Sequence, residues 1–253
     1  MRIVKLLEWD TDFFGFPVAQ IQSDTIDAEH LAEVFSFCRE HQVRLLQFKC
    51  HAHHHPSVLL AEKGNFHFAD VRITLLKNLT DSKRRTGSLP EGLSFRKGKI
   101  SDITALKEIV TDLYTHSRYY FDTNFPRNDV HGFYRNWIEK SVHGQFDDVV
   151  WVLCLNDYPI GCCSVSYKTS QIATIGLFGI DPNSGGNGFG SILMEEVLFS
   201  MFLRDIKTVS VITQGRNYGA QRLYQRARFY PEKMEIYYHK WFSGDEGDWS
   251  CEI

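Results

Sequence analysis

The segment Asn183-Ser184-Gly185-Gly186-Asn187-Gly188-Phe189-Gly190 constrains this chain more than any other. It follows an apolar, strand-like run (Ile172–Ile180) and precedes an apolar run with helical spacing (Phe189–Leu203). Glycine lets a backbone turn through positive φ and approach a ligand closely. A helix start presents N–H groups that have no partner within the helix. Together with the helix dipole, such groups bind an anion, most often a phosphate or pyrophosphate. The alternative, a glycine-rich turn that holds no ligand, fits less well with a strand on one side and a helix on the other. A strand, a glycine loop and a helix in this order predict an α/β architecture with an anion site at the loop.

The remaining pattern is consistent with that class. Up to about Asn78, strand-like segments (Ile3–Glu8, Phe16–Ile21, Leu45–Cys50, Phe66–Leu76) alternate with helix-like ones (Asp27–His41, Ser57–Lys63). A polar, basic stretch with Gly and Pro follows at Thr80–Gly92, with the composition of a linker or long surface loop. From Leu93 a second region begins: a short strand, helices opened by Ser101-Asp102 and over Asp129–His143, then three strands (Asp148–Leu155, Ile160–Tyr167, Ile172–Ile180). Asn156-Asp157 predicts a hairpin turn between the first two. After the glycine loop come a helix (Phe189–Leu203), a strand (Val209–Thr213), a helix (Asn217–Arg226) and a last strand (Glu235–Trp241). The expected organisation is a small α/β domain over 1–79, a linker over 80–92, a larger domain over 93–242 built on a mixed central sheet flanked by helices, and an acidic tail over 243–253.

Composition removes several functions. Twenty-eight Lys and Arg against 31 Asp and Glu give a net charge of −3, which excludes a nucleic acid as main partner. No apolar run approaches the roughly 18–20 residues of a membrane span. Lys5, Glu8 and Asp10 interrupt the start of the chain where a signal peptide needs an apolar core, which predicts a cytoplasmic protein. Cys38, Cys50, Cys154, Cys162, Cys163 and Cys251 show no CxxC spacing and are read as free thiols, buried among apolar residues. His51, His53, His54 and His55 lie where a strand ends and a helix with Pro56 in its first turn begins. Only Cys50 stands beside them, so they read as a solvated loop, and no metal is expected.

Spacing decides among the families that use glycine loops. A nucleoside-triphosphate loop needs Gly-Lys-Ser/Thr, and Gly190-Ser191-Ile192 lacks the lysine. The dinucleotide fingerprint G-x-G-x-x-G fails at its third glycine. Ile180-Asp181-Pro182 leading into Gly185-Gly186-Asn187-Gly188-Phe189-Gly190 resembles the acetyl-coenzyme A loop of the GCN5-related N-acetyltransferases, with Gly185 in place of the usual Gln or Arg. Asn217, Ala220, Leu223, Tyr224 and Phe229 resemble that family's downstream pattern, with Arg228 where a glycine is usual. The resemblance implies acetyl-CoA as co-substrate, held by Phe178, Gly179 and Ile180 of the strand, by the segment from Gly185 through Gly186, Asn187, Gly188, Phe189 and Gly190 to Ser191, and by Asn217. It also implies direct attack by an amine on the thioester. The strand residues Phe178–Ile180 then supply backbone donors for the oxyanion. Tyr224 acts as general acid for the departing thiolate, its ordinary phenol pKa of about 10 lying close to that of an alkyl thiol.

Further motifs narrow the resemblance. Trp9-Asp10-Thr11-Asp12-Phe13-Phe14-Gly15, Ser117-Arg118-Tyr119 and the stretch 136–147 are similar to a branch of the family that acetylates nucleotide-linked amino sugars. This implies transfer to a dTDP-linked amino-6-deoxy sugar, most specifically a 4-amino-4,6-dideoxyhexose, for surface polysaccharide synthesis, by a cytosolic homodimer. Arg118, Tyr119 and His116 would contact the substrate. Asp70 would orient the amine or accept its proton through water, the other reading of Asp70 being a solvated carboxylate at a strand end. Two other activities stay open: acetylation of a protein N-terminus or a small polyamine, and a CoA-binding module without catalysis, for which Tyr224 would be superfluous.

Overall fold

A computed structural model describes residues 3–79, 88–115 and 117–243. The chain forms two compact units. One combines Met1–Arg72 with Gln214–Arg216 and Met234–Ile253; the other combines Ile73–Thr213 with Asn217–Lys233. Compactness therefore divides the chain differently from the linear reading, which placed a linker at 80–92 and assigned everything from 93 to 242 to one domain. The reason is strand pairing: the last strand closes the sheet of the first unit, so two distant segments of sequence build one core. Most of the expected linker (80–87) and nearly all of the expected tail (244–253) lie outside the described residues.

In the first unit, β1 (Val4–Leu6) pairs antiparallel with β2 (Val18–Ile21), which pairs parallel with β3 (Leu45–His51). β3 pairs antiparallel with β10 (Tyr230–Trp241), from Glu235 opposite His51 to Trp241 opposite Leu45. Helix α1 (Glu8–Phe14) occupies part of the Trp-x-x-x-Phe-Phe-Gly stretch and ends at Gly15, whose φ of 73° needs no Cβ. α2 (Ala28–Glu40) starts where Asp27 accepts a bond from the His30 N–H (2.9 Å) and buries Leu31, Val34, Phe35 and Cys38, the stripe its spacing predicts. α3 (His55–Lys63) carries Pro56 in its first turn. The two longer helices cover a core of Val34, Phe35, Leu46, Phe48, Phe66 and Tyr238, among others. Each fully buried large apolar side chain contributes roughly 1.5–3 kcal/mol.

In the second unit, β4 (His67–Asn78), of which the C-terminal part belongs here, neighbours β9 (Thr208–Gln214), and the order continues to β8 (Ile172–Ile180), β7 (Tyr158–Tyr167), β6 (Val149–Leu155) and β5 (Leu93–Lys97). Strands β5 to β8 are antiparallel, and β8 runs parallel to β9. Parallel neighbours need a crossover, which α7 (Phe189–Phe202) provides. Asn156 and Asp157 form the β6–β7 turn, both with positive φ (49° and 65°), which is what a two-residue hairpin of this twist requires. Helices α4 (Ile103–Leu113), α5 (Arg118–Phe121), α6 (Arg127–Val142) and α8 (Tyr218–Arg226) complete the unit. Before α4, Ile100–Asp102 forms a single 3₁₀ turn, fastened by two bonds from Arg96 to Asp102 (2.6 and 2.9 Å). Asp147, in the stretch 136–147, is buried and accepts from Trp137 Nε1 (2.9 Å), Ser141 Oγ (2.7 Å) and Ser166 Oγ (2.6 Å), tying α6 to the sheet. No described helix is long and apolar enough to cross a membrane.

Candidate functional site

The glycine segment connects β8 to α7 through a 3₁₀ turn, Pro182–Ser184, where the Asp181 side chain accepts from Asn183 N (3.0 Å). Asn187 braces the loop by donating to the carbonyls of Ser184 (3.2 Å) and Gly185 (3.3 Å). Gly186 and Gly188 have φ of +81° and +77°, and a Cβ on either would meet open space. Gly188 is the N-cap of α7 and, having no side chain, gives the helix start no side-chain cap. Backbone donation resumes only with Ser191 and Ile192, both to Gly188 O (3.0 and 3.2 Å). Among the described residues, the N–H groups from Gly186 to Gly190 therefore face no acceptor of the chain. Unpaired N–H groups at a helix start can bind an anion.

Beside the loop, the sheet opens. The β8–β9 ladder runs from Ile172–Thr208 to Ile175–Val211 and stops there, although both strands continue. On its other edge β8 remains paired with β7, Gly179 opposite Cys162 and Ile180 opposite Gly161. Phe178, Gly179 and Ile180 thus lie beyond the last β8–β9 pair, at the stretch where backbone donors were expected. Two residues past the end of that ladder on β9, Thr213 is 2% exposed, and its hydroxyl has no hydrogen-bond partner among the described residues. A buried hydroxyl without a partner carries a desolvation cost that a ligand can relieve. A Cβ at Gly179 would fall 1.9 Å from Leu113 Cδ1 of α4, so a larger residue there would force that side chain to move.

Tyr224, on α8, is 5% exposed and packs edge-on against Phe178 (6.4 Å between ring centres) and beside Phe229 (5.8 Å). Burial, with a smaller contribution from the Cys163 thiol, pushes its phenol well above the ordinary range. The close match to an exposed alkyl thiol assumed from the sequence does not hold. Burial has the same effect on thiols nearby: Cys162 is pushed up to about 12, and Cys163 well above its ordinary value. Asn217, expected at the cofactor, is the N-cap of α8, its Oδ1 accepting from Ala220 N (3.0 Å).

The other predicted residues are placed differently from expectation. Asp70 is not solvated: it is 3% exposed, accepts from Val71 N (2.8 Å) and lies 3.4 Å from Arg216 Nε, within the first unit. Tyr119 is 2% exposed and packs against Phe125 and Phe133, which makes it a core residue, not a surface for substrate. The Arg118 guanidinium stacks over its ring (4.0 Å) and donates to its hydroxyl (2.5 Å). His116 lies outside the described residues. Among those residues, no group of three or more His, Cys, Asp or Glu side chains is arranged to hold a metal.

Two residues that sequence reasoning missed belong to the opened strand edge. One is Thr213. The other is Tyr114, directly after α4, whose hydroxyl accepts from Phe178 N (3.0 Å) and lies 3.5 Å from Phe178 O. Thr213 ends a largely apolar strand and Tyr114 follows Leu113 at the end of a helix, so both look like packing positions in a one-dimensional pattern.

Comparison with known proteins agrees with this geometry. Residues 106–229 match the acetyltransferase (GNAT) family. Over 140 residues, 55% of its length, the chain is 26% identical to the spore coat polysaccharide biosynthesis protein SpsD of Bacillus subtilis (strain 168), covering 48% of that protein. Over 126 residues, 49% of its length, it is 32% identical to the dTDP-fucosamine acetyltransferase of Escherichia coli O6:H1, covering 53% of it. The chain thus spans about half the length of the curated relatives it matches. Among solved structures, a GCN5-related N-acetyltransferase from Kribbella flavida shares the fold with a TM-score of 0.61 at 12% identity, over 88% of this chain and 81% of that one. Another, from Sphaerobacter thermophilus, gives 0.59 at 15% identity, over 94% and 76%. Residues 106–229 of this chain form a domain of the acetyltransferase (GNAT) family.

Proposed function

We propose that the protein transfers an acetyl group from acetyl-CoA to the amino group of a dTDP-linked amino-6-deoxy sugar, with a 4-amino-4,6-dideoxyhexose as the preferred acceptor. The observation that carries the transferase part is the line of five backbone N–H groups at 186–190 beside a strand edge left open after Ile175. A diphosphate fits the first, and an acyl group with its amide-bearing arm fits the second. The sugar part is supported by the two curated relatives, one named for spore coat polysaccharide biosynthesis and the other for acetylation of dTDP-fucosamine. The resemblance at Trp9–Gly15 and 136–147 adds a cytosolic location and a homodimer to this reading.

When bound, acetyl-CoA supplies an activated acyl carbon. The amine nitrogen forms a bond to that carbon, the carbon–sulfur bond breaks, the nitrogen loses a proton to water, and the sulfur gains one. Backbone N–H groups of Phe178–Ile180 hold the acyl oxygen. Tyr224 gives the proton to sulfur and regains one from solvent. Its raised pKa is no obstacle here, because a thiolate formed in the same dry surroundings is destabilised as well, as Cys162 and Cys163 illustrate. Acid and leaving group are shifted in the same direction, so the transfer stays near balance. Arg118 is assigned to the diphosphate of the sugar nucleotide. Asp70 is assigned to orienting the amine, its carboxylate being held through Oδ1 by the Val71 N–H and by Arg216 Nε.

The test is CoA release from acetyl-CoA with a panel of dTDP- and UDP-linked 3-amino and 4-amino sugars, run beside spermidine and an N-terminal peptide. The expected result is turnover confined to dTDP amino sugars and fastest with a 4-amino acceptor. Robust acetylation of spermidine or peptide with no turnover of any sugar nucleotide would overturn the acceptor assignment and keep only the transferase.

A further inference from the structure

Tyr114 stands where the reaction needs a donor. Its hydroxyl takes the Phe178 N–H at 3.0 Å, a well-formed bond, whereas among the described residues its own proton has only the Phe178 carbonyl, at the 3.5 Å limit. The phenol is thus well used as an acceptor and poorly used as a donor. Its ring is stacked on Tyr134, with centres 4.2 Å apart and planes 13° from parallel, which fixes the direction of the hydroxyl. The hydroxyl lies on the backbone of β8 three residues beyond the last β8–β9 pair, and the ring of Phe178 meets Tyr224. Any oxygen that accepts from Phe178 N–H therefore enters the hydrogen-bonding shell of the Tyr114 hydroxyl too. Burial, with the Tyr224 phenol as a smaller contribution, raises Tyr114 well above the ordinary phenol range, so it is present as O–H.

We propose that Tyr114 donates its phenolic O–H to the acyl oxygen of the bound thioester, next to the backbone N–H of Phe178, as a side-chain member of the oxyanion site. This rests on the acetyl-transfer reading above and extends it to a residue outside the glycine loop and α8. The ring is already held by Tyr134, rotation about the C–O bond turns the O–H toward the acyl oxygen, and the Phe178 N–H is then shared between that oxygen and Tyr114. A donor fixed in advance at the position where charge develops contributes roughly 10²–10³ in rate.

The probe is acetyl-CoA labelled with ¹³C at the carbonyl, followed by difference infrared spectroscopy and calorimetry on the full chain. In the wild-type protein, the thioester carbonyl band should move to lower wavenumber on binding. Tyr114→Phe should lose part of that movement while its affinity for acetyl-CoA stays within about threefold. Its kcat with a sugar acceptor should fall by about 10², with KM for acetyl-CoA little changed. An identical carbonyl band and kcat in Tyr114→Phe would overturn the proposal. So would tighter acetyl-CoA binding with unchanged kcat, since the hydroxyl would then merely fill the empty site. Should Tyr114→Phe fail to fold, the wild-type protein still decides: measurable acetyl-CoA binding with the carbonyl band at its free position overturns the proposal and spares the transferase reading. Absence of acetyl-CoA binding to the wild-type protein overturns that reading, and the role of Tyr114 with it.

Discussion

A phenol held among buried thiols is kept neutral, and neutrality is what a proton donor needs. Tyr224 is in that position: its surroundings disfavour the phenolate, so its proton leaves only for a base that is equally poorly solvated. Tyr224→Phe keeps the ring contacts with Phe178 and Phe229 and removes only the proton. We expect kcat to fall by roughly 10²–10⁴ while acetyl-CoA affinity persists; turnover close to wild type across the pH range would remove Tyr224 from the chemistry. At this scale the sequence was readable where one residue type had one use. Tyr224 stood out because a pattern surrounded it. The burial of Asp70, which rules out the solvated alternative, was not readable because Arg216, its partner, is 146 positions away, and no local pattern announces such a pair. Tyr119 was misread for the opposite reason: it sits next to Arg118 in a polar-looking stretch, but its ring is swallowed by Phe125 and Phe133.

Elements were more legible than residues because their signals are periodic or conformational. The stripe of α2 and the Asn156-Asp157 turn followed from spacing and from the φ > 0 that the turn demands. Helix α1 was not, since Trp9, Phe13 and Phe14 are too aromatic and too few to write a clear helical period. The end of the β8–β9 ladder after Ile175 was equally hidden: nothing in Gly176-Leu177-Phe178 says that one edge stays paired and the other opens. The loop before α7 is the element whose conformation can be tested directly. Gly188 sits at φ +77° at the helix start, a region that costs an L-residue roughly 1–2 kcal/mol, and more for a β-branched one. Gly188→Val should leave the protein folded, as a Cβ there meets no atom of the described residues within 4 Å, but should reduce acetyl-CoA affinity at least tenfold by calorimetry. Unchanged affinity would mean that the N–H cradle is not where the diphosphate rests.

At the scale of the molecule, stability depends on a few buried charges. Asp147 collects three donors, and Asp102 is held by Arg96 and by the Lys99 backbone N–H (2.7 Å). The Arg96 hydrogen bonds hold the Asp102 carboxyl below its ordinary value of 3.8, against the opposing effect of burial. A carboxylate whose pKa is lowered by folding stabilises the fold above the unfolded-state value, and that contribution is lost as pH falls through the folded-state value. Asp102→Asn should therefore unfold at lower urea than wild type at pH 6 and 7 by a constant margin. The two midpoints should converge as the pH drops below 3.8, and a margin independent of pH down to 2.5 would show that the charge on Asp102 contributes nothing.

The pairing of β3 with β10 has a consequence for how the chain is made. β3 is synthesised roughly 190 residues before the strand that covers its edge. At about 5–20 residues per second, that is a delay of roughly 10–40 s on the ribosome. During that interval the nascent first unit carries β2 and β3 with an open edge and an unfinished apolar core, to which Tyr238 and Phe242 have yet to be added. The residues translated in the meantime belong almost entirely to the second unit, which can close on itself first. The unit that begins the chain is thus the last to be completed, and a ribosome that stalls shortly before Met234 leaves a chaperone with a bare strand edge to guard.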